Sequence, residues 1–434
     1  MKTNCGSKLE SVLQPLDCDA LARQTGFVRR QPKKLWPLVF IQSCCLLLVE
    51  PSVSFRRWAI LIGALANLTY SKQALFERMG ARAVVFVQRV LLALISHLSR
   101  GVQRVLPPAL SAFKRVLIQD STILTLPERL AACFPGARSQ HRAKPGMIRV
   151  QGLYELKTQR FVHFSHSAFV RNDLTAAPDI LHYLRAGDLL LRDLGYLVLE
   201  VLGQIHAVGA YFVSRFKHSL SVFETEGQPL DLVALLRHRT HPLDQDVLLG
   251  AKEHLPARLV AFKVPEEVAN LRRHRARPHH HSPPTQRHLA LMGWDLLITN
   301  VSRAVLTAKQ VAKVYGLRFH IETIFKAWKS HFHLEAMPAG SRYEVETLLY
   351  ARLLLITIFE TCFLARWGAQ LQEASTPALS RLKVAAFFTV YLSASLLWQW
   401  QPRLECALLK QVAYHCPYER RRKRKNFVEK LELT

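Results

Sequence analysis

The sequence predicts an α/β fold: a mixed-sheet core with a strand-rich insertion, flanked by helical segments at both ends. Three observations lead there. Strand-like runs alternate with helical ones between residues 115 and 215, helical periodicity dominates before Pro107-Pro108 and after Lys329, and residues 216–288 break the core pattern. The 434 residues allow about two to four domains, and with 50% of them hydrophobic they can bury a sizeable core.

Residues 1–107 read as helical. Trp36–Val49 and Trp58–Tyr70 are apolar runs too short to span a bilayer. Ser71 is placed to cap a helix that carries Leu75, Met79, Val84 and Val85, with Arg78, Arg82 and Arg89 interspersed. This segment reads either as a helix-turn-helix reader of DNA or as a helical bundle with a basic outer face. Pro107-Pro108 marks a boundary, and the chain is expected to divide into 1–107, 108–345 and 346–434. Arg115–Gln119 is a short apolar strand ending at Asp120. Met147–Leu156 and Phe161–Val170 alternate as two antiparallel strands joined by a turn at Lys157–Arg160. A helix is expected from Asn172 through Leu184. A buried strand, Asp188–Arg192, ends at Asp193, and a helix follows through about Ile205. Ala210–Arg215 is a further strand. Strand, strand, strand, helix, strand, helix, strand is the order of an RNase H-like core.

The insertion contains a strand near Leu259–Val264 and a basic, turn-rich loop from Arg272 to Pro284. Its His279-His280-His281 run suits a phosphate-facing loop better than a metal site, because adjacent histidines rarely converge on one ion. Leu289–Asn300 reads as the strand that returns to the core. After Lys329, Glu344–Trp367 and Leu379–Trp400 are apolar-rich helices. Val384–Pro402 carries no charge over 19 residues and reads as a buried helix, with a membrane span as the alternative. Arg420–Lys425 is six cations in a row, a solvated tail or a source of phosphate contacts.

Charge narrows the function classes. Lys plus Arg number 59 against 32 acids, a formal charge of +27, which points to nucleic acid before an anionic membrane. The eight cysteines include no C-x2-C pair, which argues against a zinc module or a disulfide framework. Lys8, Glu10 and Asp17 interrupt any signal-peptide pattern, and no GxxxxGK[ST] loop suggests nucleotide use.

The stretch with the most chemistry is Tyr315–Lys329. Tyr315, Arg318, Glu322 and Lys329 would stack on one face of a helix, beside an apolar stripe of Leu317, Ile321, Ile324 and Trp328. On pattern alone this is also what a solvated helix with an Arg318–Glu322 pair looks like. The spacing Tyr-x2-Arg-x3-Glu-x6-Lys, however, resembles the signature of the insertion-sequence-four group of bacterial DDE transposases. The flanks, Ile298-Thr299-Asn300 and Phe325-Lys326-x-x-Lys329, fit as well, although Arg318-Phe319 stands where that group more often has Arg-Trp. Asp120 in Gln119-Asp120-Ser121-Thr122 and Asp193 in Asp193-x-Gly195-Tyr196 resemble the group's first and second acidic motifs. The gap of 129 positions from Asp193 to Glu322 matches an inserted strand-rich segment.

The resemblance implies that Asp120, Asp193 and Glu322 are a catalytic, metal-binding set for two Mg²⁺ ions, with Mn²⁺ able to substitute. Asp188 reads instead as a turn residue, roughly 17 Å from Asp193 at ~3.3 Å per residue, and Asp173 as a helix cap. Tyr315, Arg318 and Lys329 would contact DNA phosphates or buttress Glu322. Trp294 would stack on a flipped base in a hairpin-forming member, or else be a core residue. The partners implied are transposon-end and target double-stranded DNA and a second copy of the chain, with no membrane and no nucleotide cofactor, in the bacterial cytoplasm at the nucleoid. The activity implied is end cleavage and 3′-hydroxyl strand transfer. The competing readings are an RNase H-like nuclease without strand transfer and an inactive DNA-binding relic.

Overall fold

The computed structural model describes residues 9–30, 34–98, 108–137, 145–276, 283–338, 340–364, 367–368, 370–371, 379–395, 410, 412–418 and 430. The His279–His281 run and the cations at 420–425 lie outside these residues.

The N-terminal part is helical: α1 (Pro37–Leu47), α2 (Phe55–Ala66), α3 (Lys72–Arg78) and α4 (Ala81–Leu98). The Ser71 side chain caps α3 as expected, but the helix stops at Met79 and restarts after Gly80. Among the described residues, α4 alone is long and apolar enough to cross a membrane. In the fold, its apolar side packs into the main core with Phe86, Val87, Val90 and Leu94 fully enclosed.

Nine strands form one mixed sheet in the order β3-β2-β1-β4-β5-β9-β8-β7-β6. They are β1 (Val116–Leu126), β2 (Gly146–Glu155), β3 (Arg160–Ala168), β4 (Leu189–Arg192), β5 (Tyr211–Arg215), β6 (Val222–Phe223), β7 (Leu243–Leu249), β8 (Leu255–Lys263) and β9 (Trp294–Thr299). β1 pairs in parallel with β4, and β4 with β5, while every other neighbour is antiparallel. The β3-β2-β1-β4-β5 half, with a helix between β4 and β5, is the RNase H-like core. The fold class read from the sequence is thus realised. The strands of the 216–288 segment extend the same sheet through β9.

Several elements differ from the sequence expectations. β1 does not end at Asp120 but runs on to Leu126, because β2 pairs with it along that whole length. The helix expected over 172–184 is one short turn, Asp173–Ala176, followed by a 3-10 stretch, Ala177–Tyr183, with Pro178 at its start. A 3-10 turn, Leu194–Tyr196, precedes α5 (Leu199–Ala207). Leu289–Asn300 is a strand only from Trp294; its first residues end a helix, Gln286–Leu291, that Thr285 caps.

The Tyr315–Lys329 stretch is not one continuous helix either. α6 (Ala308–Gly316) passes through a 3-10 turn, Leu317–Phe319, into α7 (His320–Ser330). Helix α8 (Arg342–Ile358) is enclosed almost throughout, with Leu348, Leu349, Leu354 and Leu355 at 0% exposure, and α9 (Arg381–Ser395) follows it.

Side chains alternate across a strand, and here the two sheet faces feed two cores. Ile118 and Leu124 of β1 and Leu189 and Leu191 of β4 join the larger core with α4, α7 and α8. Leu117 and Leu190 join a smaller core on the far face with Ala177, Ile180, Tyr196 and α5.

Candidate active site

The parallel β1–β4 ladder ends at the pair Gln119↔Arg192. The next residue on each chain is an acid, Asp120 on one and Asp193 on the other. Both therefore leave the ladder together, on the side of the sheet that carries α7. Gly152 is the antiparallel partner of Asp120. A Cβ there would lie 3.0 Å from the Phe161 ring and 3.6 Å from Phe325 of α7, so the missing side chain lets α7 settle close to the strand. Ile321, Ile324 and Trp328 of α7 are fully enclosed, and Trp328 packs against Phe161, Phe164 and Phe325. That seating turns Glu322, 53% exposed, toward the same edge.

Arg318 stands between the three acids. Its Nη1 donates to Asp120 Oδ2 at 3.2 Å and its Nη2 to Glu322 Oε1 at 2.8 Å, while its Nε lies 3.9 Å from Asp193 Oδ1. The guanidinium is 5% exposed and lies 4.4 Å from the Phe319 ring centroid. This is no solvated helix face. The 3-10 turn rotates Arg318 inward, where a charge is tolerated only because opposite charges surround it.

Tyr315, also 5% exposed, donates its hydroxyl to Asp193 Oδ1 at 3.4 Å, and burial pushes its phenol up to about 12. Lys329 donates to the Ile123 carbonyl at 3.0 Å and pairs with Glu335 at 2.7 Å, which ties the end of α7 to β1. Burial raises the Asp120 carboxyl to about 6, against the pull of the Ser121 N–H and Arg318; Glu322 and Asp193 push it further up.

Five of the seven residues singled out in the sequence thus converge: Asp120, Asp193, Tyr315, Arg318 and Glu322; Lys329, further along α7, instead bonds to the Ile123 carbonyl and Glu335. Trp294 is not brought to them either. It is 9% exposed and packs in the far-face core, so stacking on a base requires the indole to leave that core. Asp188 closes a turn as expected, its N–H bonding to the Arg185 carbonyl at 3.1 Å and its Oδ2 accepting from the Arg185 N–H at 2.8 Å; at 1% exposure it also accepts two hydrogen bonds from Arg115. Asp173 is not the cap of its helix, since Asn172 accepts from the Thr175 N–H instead. The sequence reading also passed over Gln119 and Arg192, whose side chains bond to each other at 2.9 Å on the far face, directly behind the two aspartates. The available signal was a polar residue beside each acid, inside strands that are otherwise apolar.

Oxygen-only donors on three separate elements are the set that a hard divalent cation selects. The donor chemistry fits such an ion. Among the described residues no three carboxylates, histidines or cysteines lie close enough to hold one as they stand, because the guanidinium takes the centre. Within this arrangement the Arg318 Nε makes no hydrogen bond.

The family model for the transposase DDE domain matches residues 111–358. The chain is 27% identical over 369 residues to the transposase of insertion sequence IS231B from Bacillus thuringiensis subsp. berliner, covering 80% of this chain and 77% of that one. It is also 27% identical over 322 residues to the transposase of IS1151 from Clostridium perfringens, 67% of this chain and 66% of the relative. Among solved structures, the piggyBac transposase synaptic complex with hairpin DNA superposes with a TM-score of 0.45 at 10% identity, over 94% of this chain and 83% of that one.

Proposed function

The chain belongs to the DDE transposase family, in its insertion-sequence-four group, and from that premise we propose that it binds the ends of its own insertion sequence, cuts DNA there and joins the 3′-hydroxyl ends to target DNA. The observation that carries this reading is the convergence of Asp120, Asp193 and Glu322 on one buried cation at a sheet edge. These three acids would hold two Mg²⁺ ions, or Mn²⁺ in their place. When bound, such a pair supplies charge stabilisation at the attacking and leaving oxygens of an in-line displacement.

The chain's own residues do the rest. Arg318 neutralises the acids until a cation replaces it, then offers its planar fork to a phosphate beside the scissile bond. Tyr315 holds the Asp193 carboxylate through its hydroxyl. Lys329 keeps the end of α7 on β1 and contacts the next phosphate. In this reading residues 1–107 recognise the transposon end, 108–345 carry the chemistry around the 216–288 insertion, and 346–434 complete the fold. The charge of +27 supplies affinity for DNA. Two ends are handled at once, so the working unit is at least a dimer.

The test is a supercoiled donor plasmid carrying the element's inverted ends, incubated with the full chain and Mg²⁺. Excised element together with insertions flanked by short target duplications is the expected result. Cut ends without joined products would make the protein a nuclease, and end binding without cutting would make it a relic.

A further inference from the structure

Behind the catalytic edge, on the far face of the sheet, lies a polar cluster centred on Asp173. Asn172 caps the short helix, so the Asp173 carboxylate is free for other partners. Its Oδ1 accepts from Ser121 Oγ at 2.9 Å and from Gln151 Nε2 at 2.9 Å, and its Oδ2 accepts from Arg149 Nη1 at 3.0 Å. Arg149 also donates to Ser121 Oγ at 3.1 Å, and it is 8% exposed, so Asp173 is the counter-charge of a buried cation.

The cluster reaches both aspartates through their neighbours in sequence. The Ser121 N–H donates to Asp120 Oδ1 at 2.8 Å, so the residue that Asp173 grips is itself gripping Asp120. On the other side, the Gly195 backbone sits against the Asp173 side chain, where an added Cβ would be 3.5 Å from it. Tyr196, three residues after Asp193, donates its hydroxyl to Gln151 Oε1. One carboxylate thus ties together the two segments that carry the acids.

We infer that Asp173 is a positioning residue, which holds the Asp120 and Asp193 carboxylates in place from behind the sheet without touching a metal or DNA. Residues that orient metal-binding acids in this way characteristically change metal affinity or activity 10–100-fold. The inference rests on the proposed role of Asp120 and Asp193.

The experiment uses the full chain bound to uncut end DNA. Mn²⁺ is titrated in, with free ion read by electron paramagnetic resonance against a DNA-only blank. Asp173→Asn should raise the half-saturating Mn²⁺ concentration about 10–100-fold, with end affinity within about twofold of wild type and the melting temperature within a few degrees. Ser121→Ala should reproduce part of the shift, and combining it with Asp173→Asn should add little, since both act on one link. Ser121→Thr, which keeps the hydroxyl, should restore wild-type binding. Unchanged Mn²⁺ affinity in Asp173→Asn would overturn the inference. So would a loss matched by equal losses in end affinity and melting temperature, which marks a residue that only supports the fold. Asp120→Asn separates the two levels. If it too leaves Mn²⁺ binding intact, the acid set itself is wrong. If it abolishes binding while Asp173→Asn does not, only the role of Asp173 falls.

Discussion

The two faces of the β1–β4 pair carry almost the same number of polar groups and use them in opposite ways. On the α7 face, Asp120, Asp193 and Glu322 crowd around one guanidinium, and the Asp120 carboxyl is pushed up to about 6. On the far face, Gln119 and Arg192 satisfy each other, and Arg192 also reaches the Ala177 carbonyl. Asp173, Ser121, Arg149 and Gln151 close a second set of bonds beside them. One face stores unrelieved charge and the other spends its charge on holding strands together. Substitutions on the first should therefore change chemistry with little effect on folding, and substitutions of the Gln119–Arg192 pair on the second should show first in stability.

The largest effect tests the first half of that contrast. Asp120→Asn, Asp193→Asn and Glu322→Gln should each lower single-turnover end cleavage by at least about 10³-fold, the scale on which a lost essential group is felt. End affinity, which comes from cations, should hold, and the melting temperature should not fall. Cleavage gels, filter binding and thermal denaturation on the same preparations would settle it. A variant that still cuts removes its residue from the site.

Arg192→Ala tests the second half. The guanidinium is 1% exposed, and its loss strands the Gln119 amide oxygen and the Ala177 carbonyl. Leaving a buried acceptor unpaired costs about 1–3 kcal/mol, to be read from urea unfolding. A cost below about 1 kcal/mol would mean that the far face is not the structural one.

Arg318→Ala and Lys329→Ala should lower the cleavage rate about 10–100-fold, in the range of lost catalytic electrostatic contacts, with a smaller loss of end affinity. Equal losses in rate and affinity would make both residues general DNA contacts.

The next effect is in pH. The Asp120 pKa is about 6 in the fold against an ordinary 3.8, so the folded state holds a proton there that the unfolded chain has released. Stability from this group is complete below the ordinary value and is lost as pH rises through about 6. Metal binding runs the other way, because it needs the carboxylate. At subsaturating Mg²⁺, cleavage should fall about tenfold per pH unit below 6, while the metal-free protein melts at a higher temperature. Asp120→Asn should flatten the acid-side melting trend. Parallel trends in melting and cleavage would contradict the assignment.

Trp294→Phe should have the smallest effect. The indole is packed in the far-face core, so a shape-related swap should cost on the order of 1 kcal/mol and leave the ratio of nicked, hairpin and double-strand-break products unchanged on a gel. A selective loss of hairpin products would move Trp294 to the DNA-contacting side.

What the sequence made legible follows the same division. That the acids and Arg318 meet could be read because the Tyr315–Lys329 spacing and the two acidic motifs match a known family pattern. The core strands could be read because apolar runs such as Leu189–Leu191 have few alternatives. Spacing also placed Arg318 correctly relative to Glu322, but not its inward turn. That depends on the 3-10 step at Leu317–Phe319, and 3-10 and α geometry share the same local preferences. The Asp173 cluster was invisible for another reason. Its members come from β1, β2 and a short helix, and no local spacing links them. The turn role of Asp188 was legible because Arg185 lies three positions away, whereas its ion pair with Arg115, 73 positions away, was not.

The distance along the chain between Arg318 and Asp120, 198 positions, has a consequence in time. At roughly 5–20 residues per second, a ribosome that has released β1 needs on the order of 10–40 seconds more before α7 emerges. By the later part of that interval the nascent chain has two aspartates, much of its sheet and neither the guanidinium that quiets them nor the glutamate that completes them. In the proposed reading, translation order thus makes competence to cut a late event. A chain that terminates early, anywhere before residue 318, should be harmless to the DNA beside which it is made.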